Sequence, residues 1–360
     1  MEGPTMMDLA SQQLLSIASY RTETLDAVFL FFTFLGHEPF LLFFVAIGYW
    51  FVDKRIFARA TLMLIVAGLI NAFIKGAVQE VRPNIHPEFA ADGWSFPSGH
   101  AQMAAALWLY LAYVWRRQRV LATSLVGVAV LVAASRPYLG VHYVHDVVAG
   151  GVLGALLLGL FLLWLRVEPS ATSRSWSRAW IPLVAVLLYG AVRTVFDPTV
   201  QAGSIRLVGA LVGLMIGIDL ERRWIQAALP RSIGRGAWVL LVGTIGILVV
   251  WMGLGMLLRR LQLDGNLELQ CFRYGLLGLW IGAGVPAVSS PKSIVINREG
   301  EGDLDEKQNR NAGEEVTARP KDRHRGHAEG EQDSSHEALR RMVGDGVDEC
   351  GTSDGVGPAR

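Results

Sequence analysis

Residues 135–165 read SRPYLGVHYVHDVVAGGVLGALLLGLFLLWL, and the two halves of this stretch decide the class of fold. The second half, from about 143 to 165, is a membrane span, because crossing a bilayer takes about 20 mostly apolar residues. The first half gathers a cation, a nucleophile candidate and a carboxylate: Ser135-Arg136, then His142, then Asp146 one helical turn on. A histidine four residues before an aspartate on one helix presents both side chains on the same face. The carboxylate then holds one ring nitrogen and leaves the other free to attack. With Arg136 to hold an anion, the pattern points to phosphate chemistry at the end of a membrane helix.

Two clusters lie upstream. Lys75 and Arg82 are seven residues apart, two helical turns, which predicts both cations on one helix face, with Pro83 discouraging further helix. Pro97-Ser98-Gly99-His100 reads as a helix start: Ser98 is a good N-cap, Gly99 exposes its amide, and the positive end of the helix dipole suits an anion.

Composition sets the frame. Hydrophobic residues make up 52% of 360 although the last seventy are strongly polar, so the remainder is far richer in apolar residues than a soluble domain. Spans are expected near 24–35 merging into 38–52, then 57–79, 100–115, 120–135 and 143–165, with a tight turn at Gly36-His37-Glu38. Four more are expected near 179–196, 204–219, 236–258 and 269–288. Residues 1–23 form an amino-terminal interfacial or cytoplasmic segment, with 8–20 a candidate interfacial helix. From 289 to 360 both charge signs mix with almost no apolar residues, which predicts a disordered, cytoplasmic tail. The net charge of +1 decides nothing by itself; positive charge sits in short loops rather than in a nucleic-acid-binding stripe, so no nucleic-acid partner is expected. Cys271 and Cys350 form no disulfide framework or metal pattern, and His324, His327 and His336 are too irregularly spaced to make one.

Positive charge orients the bundle. Lys54, Arg55 and Arg59, then Arg116, Arg117 and Arg119, then Arg166, Arg174 and Arg178, then Arg222, Arg223, Arg231 and Arg235 fall in alternate loops, which are therefore cytoplasmic. Arg259-Arg260 breaks the pattern. By alternation the three clusters converge on the other, extracytoplasmic face, periplasmic in a bacterial cell.

The ordered set Lys75-x6-Arg82-Pro83, Pro97-Ser98-Gly99-His100 and Ser135-Arg136-x5-His142-x3-Asp146 resembles the three-part motif of the type 2 phosphatidic acid phosphatase superfamily, which includes vanadium haloperoxidases and glucose-6-phosphatase-like enzymes. The resemblance covers about 24–166 and departs at no motif position. It implies an all-α polytopic membrane bundle: a six-helix phosphatase core over 24–168, with about four additional transmembrane helices over 169–288 left outside it. It also implies roles. His142 is the nucleophile that forms a phosphohistidine, Asp146 fixes its tautomer, and His100 is the general acid. Lys75, Arg82, Ser98, Gly99 and Arg136 bind the phosphate, with no metal and no cofactor. A site at span ends suits a lipid phosphate whose tail stays in the bilayer, such as phosphatidate, phosphatidylglycerol phosphate, a polyprenyl diphosphate or a sphingoid phosphate. The competing readings are a vanadium-dependent peroxidase and a non-catalytic transporter or scaffold. His145 is expected to be a bystander, and His86, His37 and Glu38 to be rim or turn residues. Trp94 and Phe96 fit either an acyl-chain contact or an aromatic belt. Arg193, Asp197 and Arg206 are expected to cluster on the site side as interface residues.

Overall fold

A computed structural model of the chain describes residues 6–83, 85, 89, 93–167, 189–193 and 195–290. The expectations for His86, for Arg174 and Arg178, for most of the 179–196 span and for the tail beyond 290 lie outside them. The helices of the first part are α1 (Met6–Ala18), α2 (Glu23–Phe34), α3 (Glu38–Phe51), α4 (Lys54–Val78), α5 (Gly99–Val114), α6 (Arg119–Tyr138) and α7 (Val144–Val167). The second part has α8 (Pro198–Leu220), α9 (Ile233–Leu248), α10 (Leu254–Arg260), α11 (Leu267–Leu279) and α12 (Val285–Ser289). Its π-helical turns lie at Glu221–Ile225, Val249–Gly253 and Trp280–Gly284. No strand occurs among the described residues. Six spans are long and apolar enough to cross a membrane: Lys54–Val78, Arg119–Tyr138, Val144–Arg166, Val200–Ile225, Ile233–Arg260 and Leu267–Ser289.

The start of the bundle differs from the sequence expectation. At 12 and 14 residues, α2 and α3 are each too short to cross, and they reach bilayer length only as a pair bent by 55°. Side-chain contacts show how the pair runs. Asp26 and Phe29 meet Tyr138, Thr33 meets Arg136, and Gly36 meets Val132, so α2 descends along the last turns of α6 and α3 continues inward. The two expected spans are thus one broken span. A Cβ on Gly36 would stand 2.8 Å from the His100 ring, so the break brings the backbone against the helix that carries His100. Leu14 of α1 packs with Tyr143, which puts the amino-terminal helix on the site end of the bundle.

Polar caps fix where the helices begin. Thr22 Oγ1 accepts from Leu25 N at 3.2 Å, Asp53 Oδ1 from Ile56 N at 2.7 Å, and Asn266 Oδ1 from Leu269 N at 2.8 Å. Between spans, small residues set the spacing, since lipid supplies no hydrophobic force to press helices together. Ala60, Ala67, Ala104 and Ala106 are fully buried where α4 and α5 form the centre of the core. A Cβ on Gly150 or Gly154 of α7 would lie 2.4 Å from the carbonyl oxygen of Ser98 or Gln102, so α7 lies directly on α5. In the second part, Gly209, Gly213 and Gly217 of α8 meet the backbone at Cys271, Gly275 and Gly282, which makes α8 and the α11–α12 span parallel, close-packed neighbours.

The two parts are joined by polar contacts within the bundle. Trp50 Nε1 donates to the Ile281 carbonyl at 3.0 Å and Tyr49 Oη to the Gly282 carbonyl at 3.3 Å, both in a π-helical turn. Lys54 at the start of α4 pairs with Glu221 at the end of α8 and also donates to the Ala227 carbonyl. At the other end, Gln79 Nε2 donates to Asp197 Oδ2 at 2.8 Å, beside the close approach of Gly76 to Asp197.

Candidate active site

The end of α4, the start of α5, the end of α6 and the start of α7 meet at one end of the bundle, and the three motifs meet with them. Local geometry differs from the sequence reading at three places. The α4 helix stops at Val78 because Gln79 takes the left-handed conformation (φ 54°), so Arg82 does not share a helix face with Lys75; it returns on a non-helical segment. The α7 helix begins at Val144, so His142 precedes it and only Asp146 lies in its first turn. Ser98 holds the N-cap position of α5, but its side chain makes no capping bond.

His142 is 2% exposed and Asp146 fully buried. His142 Nδ1 lies 3.3 Å from Asp146 Oδ2, and its Nε2 lies 3.0 Å from Arg82 Nη1. A guanidinium only donates, so Nε2 carries the lone pair and Nδ1 carries the proton toward Asp146. Burial pushes the His142 imidazole down to about 3, with Arg82, Arg136 and Lys75 acting in the same direction and the Asp146 hydrogen bond against it. The ring is therefore neutral near pH 7, with the Nε2 lone pair directed at the Arg82 guanidinium.

Around this nitrogen the cations donate to backbone carbonyls and a hydroxyl. The Lys75 ammonium donates to the Trp94 carbonyl and, at 3.0 Å, to the Ser95 carbonyl. Arg82 donates to the Gly93 and Val141 carbonyls at 2.9 and 3.0 Å, and Arg136 to Thr33 Oγ1. Among the described residues, the buried side-chain atoms without a hydrogen-bond partner are Trp108 Nε1, Arg206 Nε and Arg273 Nε away from the motifs, and four at them: Ser98 Oγ, His100 Nε2, Arg136 Nε and Asp146 Oδ1. Three of those four belong to groups that can donate. His100 stands edge-on to His37, ring centres 5.2 Å apart.

Four residues that support the site escaped the sequence reading. Ser95, fully buried, donates to Asp146 Oδ2 at 2.5 Å and lies 3.3 Å from His142 Nδ1, while its amide is held by the Glu80 carbonyl at 2.7 Å. Asn71 donates to the Pro97 carbonyl at 3.2 Å and to Gln102 Oε1 at 2.9 Å, and Gln102 donates back to the Ala67 carbonyl at 3.1 Å, so this pair fastens the Pro97–Gly99 turn to α4. Thr33 anchors Arg136. Asn71 and Gln102 had a visible signal, since an amide inside an apolar span must find a partner; Ser95 and Thr33 had none.

The other candidates fall as follows. His145 Nε2 lies 2.8 Å from Glu80 Oε1 and 3.3 Å from Asp146 Oδ1, and its ring stacks on Tyr143. Ligand atoms of Glu80, His145 and Asp146 fall within 4.8 Å of one another, near enough to share a cation, although Asp146 Oδ2 is already committed to Ser95, His142 and the Tyr143 amide. Phe96 packs on His145 and Trp94 supplies its carbonyl to Lys75. Of the three residues expected at the turn near 197, Asp197 accepts from Gln79, the Arg193 carbonyl accepts from Gln201, and Arg206 faces Tyr274.

Residues 57–169 match the PAP2 superfamily, and residues 205–290 match the PAP2 superfamily phosphatase, transmembrane extension. Phosphatidylglycerophosphatase B of Bacillus subtilis (strain 168) is 38% identical over 154 residues, a match that takes in 39% of this chain and 75% of that protein. The chain is a member of the PAP2 superfamily. Lipid phosphate phosphatase delta of Arabidopsis thaliana is 28% identical over 200 residues, 49% of this chain and 47% of that relative, so the chain spans about half of its length. The crystal structure of a transmembrane PAP2 type phosphatidylglycerolphosphate phosphatase from Bacillus subtilis aligns with a TM-score of 0.43 at 27% identity, over 47% of this chain and 90% of that one. The PAP2 match covers α4 to α7, and the extension match covers α8 to α12, so this PAP2 protein is a multi-span integral membrane protein in which both parts are built of apolar helices.

Proposed function

We propose that this PAP2 protein is a membrane phosphatase that hydrolyses a lipid phosphate monoester or diphosphate through a phosphohistidine on His142. The observation that carries the reading is that three buried motif atoms, Ser98 Oγ, His100 Nε2 and Arg136 Nε, have no hydrogen-bond partner among the described residues, at the end of the bundle where His142 Nε2 bears a lone pair. Buried donors left unsatisfied are costly, and a tetrahedral phosphate would accept from them. His142 Nε2 attacks phosphorus as the bond to the leaving oxygen breaks, and His100 gives that oxygen its proton. Asp146, through Nδ1–H, supports the positive charge that develops on the imidazole. Water then attacks the phosphohistidine, His100 takes its proton, and inorganic phosphate departs with His142 restored. Lys75, Arg82 and Arg136 stabilise the equatorial oxygens of the five-coordinate transition state.

A lipid substrate is supported by the site's position at the ends of apolar spans and by the names of the relatives. The extracytoplasmic orientation rests on the Lys54–Arg59, Arg116–Arg119 and Arg222–Arg223 clusters, which occupy the end of the bundle opposite His142. The test is release of inorganic phosphate by the purified full chain in detergent, across phosphatidate, phosphatidylglycerol phosphate, a polyprenyl diphosphate and a sphingoid phosphate. Phosphate release from at least one is expected. A folded preparation that translocates such lipids, or oxidises halide with vanadate, while releasing no phosphate would refute the reading.

A further inference from the structure

Two arginines lie inside the transmembrane extension and take no part in the PAP2 motifs. Arg206 is the seventh residue of the span Val200–Ile225 and Arg273 the seventh of Leu267–Ser289. At a rise of about 1.5 Å per residue each stands roughly 9 Å below the start of its span. These spans are parallel, and the register of Gly209 on Cys271 and Gly213 on Gly275 sets Arg206 about five residues nearer the site end than Arg273, so the two side chains converge on the ring between them. Their guanidinium carbons stand 5.9 and 5.1 Å from the centre of one ring, Tyr274. A charged group at this depth ordinarily either pairs with an opposite charge or extends to the interface. Among the described residues neither arginine pairs with a carboxylate, and both Nε atoms are buried without a hydrogen-bond partner.

Arg273 is held within the span instead of reaching out of it. Its Nη2 donates to the Trp251 carbonyl at 2.7 Å, an acceptor in the π-helical turn Val249–Gly253, and its Nη1 donates to Gln270 Oε1 at 3.1 Å. The buried Gln270 is itself tied to the Asp264 carbonyl at 2.8 Å. Gly255 makes the room: a Cβ there would come within 2.9 Å of the guanidinium. Arg206 has no hydrogen-bond partner among the described residues. Three elements thus bring together two donor-rich cations and an aromatic ring in one cluster, with no counter-charge among the described residues.

We infer that Arg206, Arg273 and Tyr274 form a second anion site, distinct from the His142 centre, that takes the phosphate of an anionic phospholipid. The ligand must be a lipid because the cluster lies within bilayer spans, so its phosphate arrives with acyl chains along the helix faces. It must carry net negative charge because two cations are left uncompensated, and guanidinium groups match phosphate oxygens in pairs.

The test is native mass spectrometry of the full-length protein titrated in detergent with phosphatidylglycerol or phosphatidylcholine. Wild type should retain phosphatidylglycerol in preference to phosphatidylcholine, and Arg206→Gln and Arg273→Gln should each weaken retention about tenfold or more. Arg206 makes no hydrogen bond to a described residue, so its replacement removes only its packing on Tyr274 and leaves the hydrogen bonds of the fold intact. Inorganic phosphate at millimolar concentration should leave the Arg206-dependent lipid bound; displacement by it would assign the cluster to soluble anions and overturn the lipid proposal. Equal retention of both lipids by wild type, or phosphatidylglycerol binding unchanged in the folded Arg206→Gln protein, would overturn it as well.

Discussion

Gly150 offers the most direct test of how the bundle sets the catalytic geometry. It lies one turn below Asp146 on α7, and a Cβ there would stand 2.4 Å from the Ser98 carbonyl oxygen and 3.3 Å from Ala101 Cβ. Both obstacles belong to the backbone or first atoms of α5, and neither can swing away as a flexible side chain would. In Gly150→Ala the helices must part by about 1 Å to restore ordinary contact, and a misplacement of that size typically costs about a hundredfold in rate. Ser98, Gly99 and His100 ride on α5 while Asp146 rides on α7, so the displacement falls between the phosphate donors and the nucleophile's partner. Overpacking should also lower stability by about 1–3 kcal/mol. Gly151→Ala is the control: nothing lies within 4 Å of its Cβ, and alanine is favoured over glycine inside a helix by roughly 0.5–1 kcal/mol. The assay is kcat for phosphate release together with the thermal midpoint of each purified variant. A folded Gly150→Ala enzyme within about twofold of wild type would refute the claim that this contact sets the register of the site.

The two motif histidines should separate by leaving group: His142→Ala inactivates toward every substrate, whereas His100→Ala loses about a hundred- to ten-thousand-fold on a lipid monophosphate and much less in the burst phase of an aryl phosphate. Equal burst losses on both would remove the acid role. Because folding lowers the His142 pKa from 6.5 to about 3, the unfolded chain takes up the proton first, so stability falls as pH drops through that window by at most about 1.4 kcal/mol per unit. Thermal unfolding of wild type and His142→Gln between pH 7 and 4 checks this, and identical pH dependence would contradict it. Activity should persist without added divalent metal and be blocked by vanadate, which mimics five-coordinate phosphorus; loss on chelation with recovery on adding magnesium would defeat the histidine mechanism.

The residues of the site were more legible in the sequence than the way they are brought together. Motif spacing anticipated the contact of His142 with Asp146, because a histidine and an aspartate four apart keep it even when the histidine precedes the helix. The same spacing argument failed for Arg82, because a single left-handed residue, Gln79, ended the helix early, and apolar periodicity does not register that. The broken α2–α3 span was also out of reach: two apolar runs with a Gly-His break read equally well as two spans, and only contacts with Val132 and His100 on other helices decide between them. Ser95 and Thr33 are ordinary hydroxyl residues whose importance arises from partners 51 and 103 positions away.

The π-helical turn at Trp280–Gly284 bears on how such an extension can be gained or lost. A π turn fits one more residue into a helix of nearly the same length and loosens the ladder, leaving carbonyls for other donors. Here Ile281 and Gly282 supply theirs to Trp50 and Tyr49 of the catalytic half. Deleting one residue would restore a regular helix yet strand an indole and a phenol in an environment with no water to satisfy them. The insertion therefore works as a ratchet: once both halves have adapted to it, neither can revert alone, and the PAP2 core of this chain can no longer be treated as a portable module.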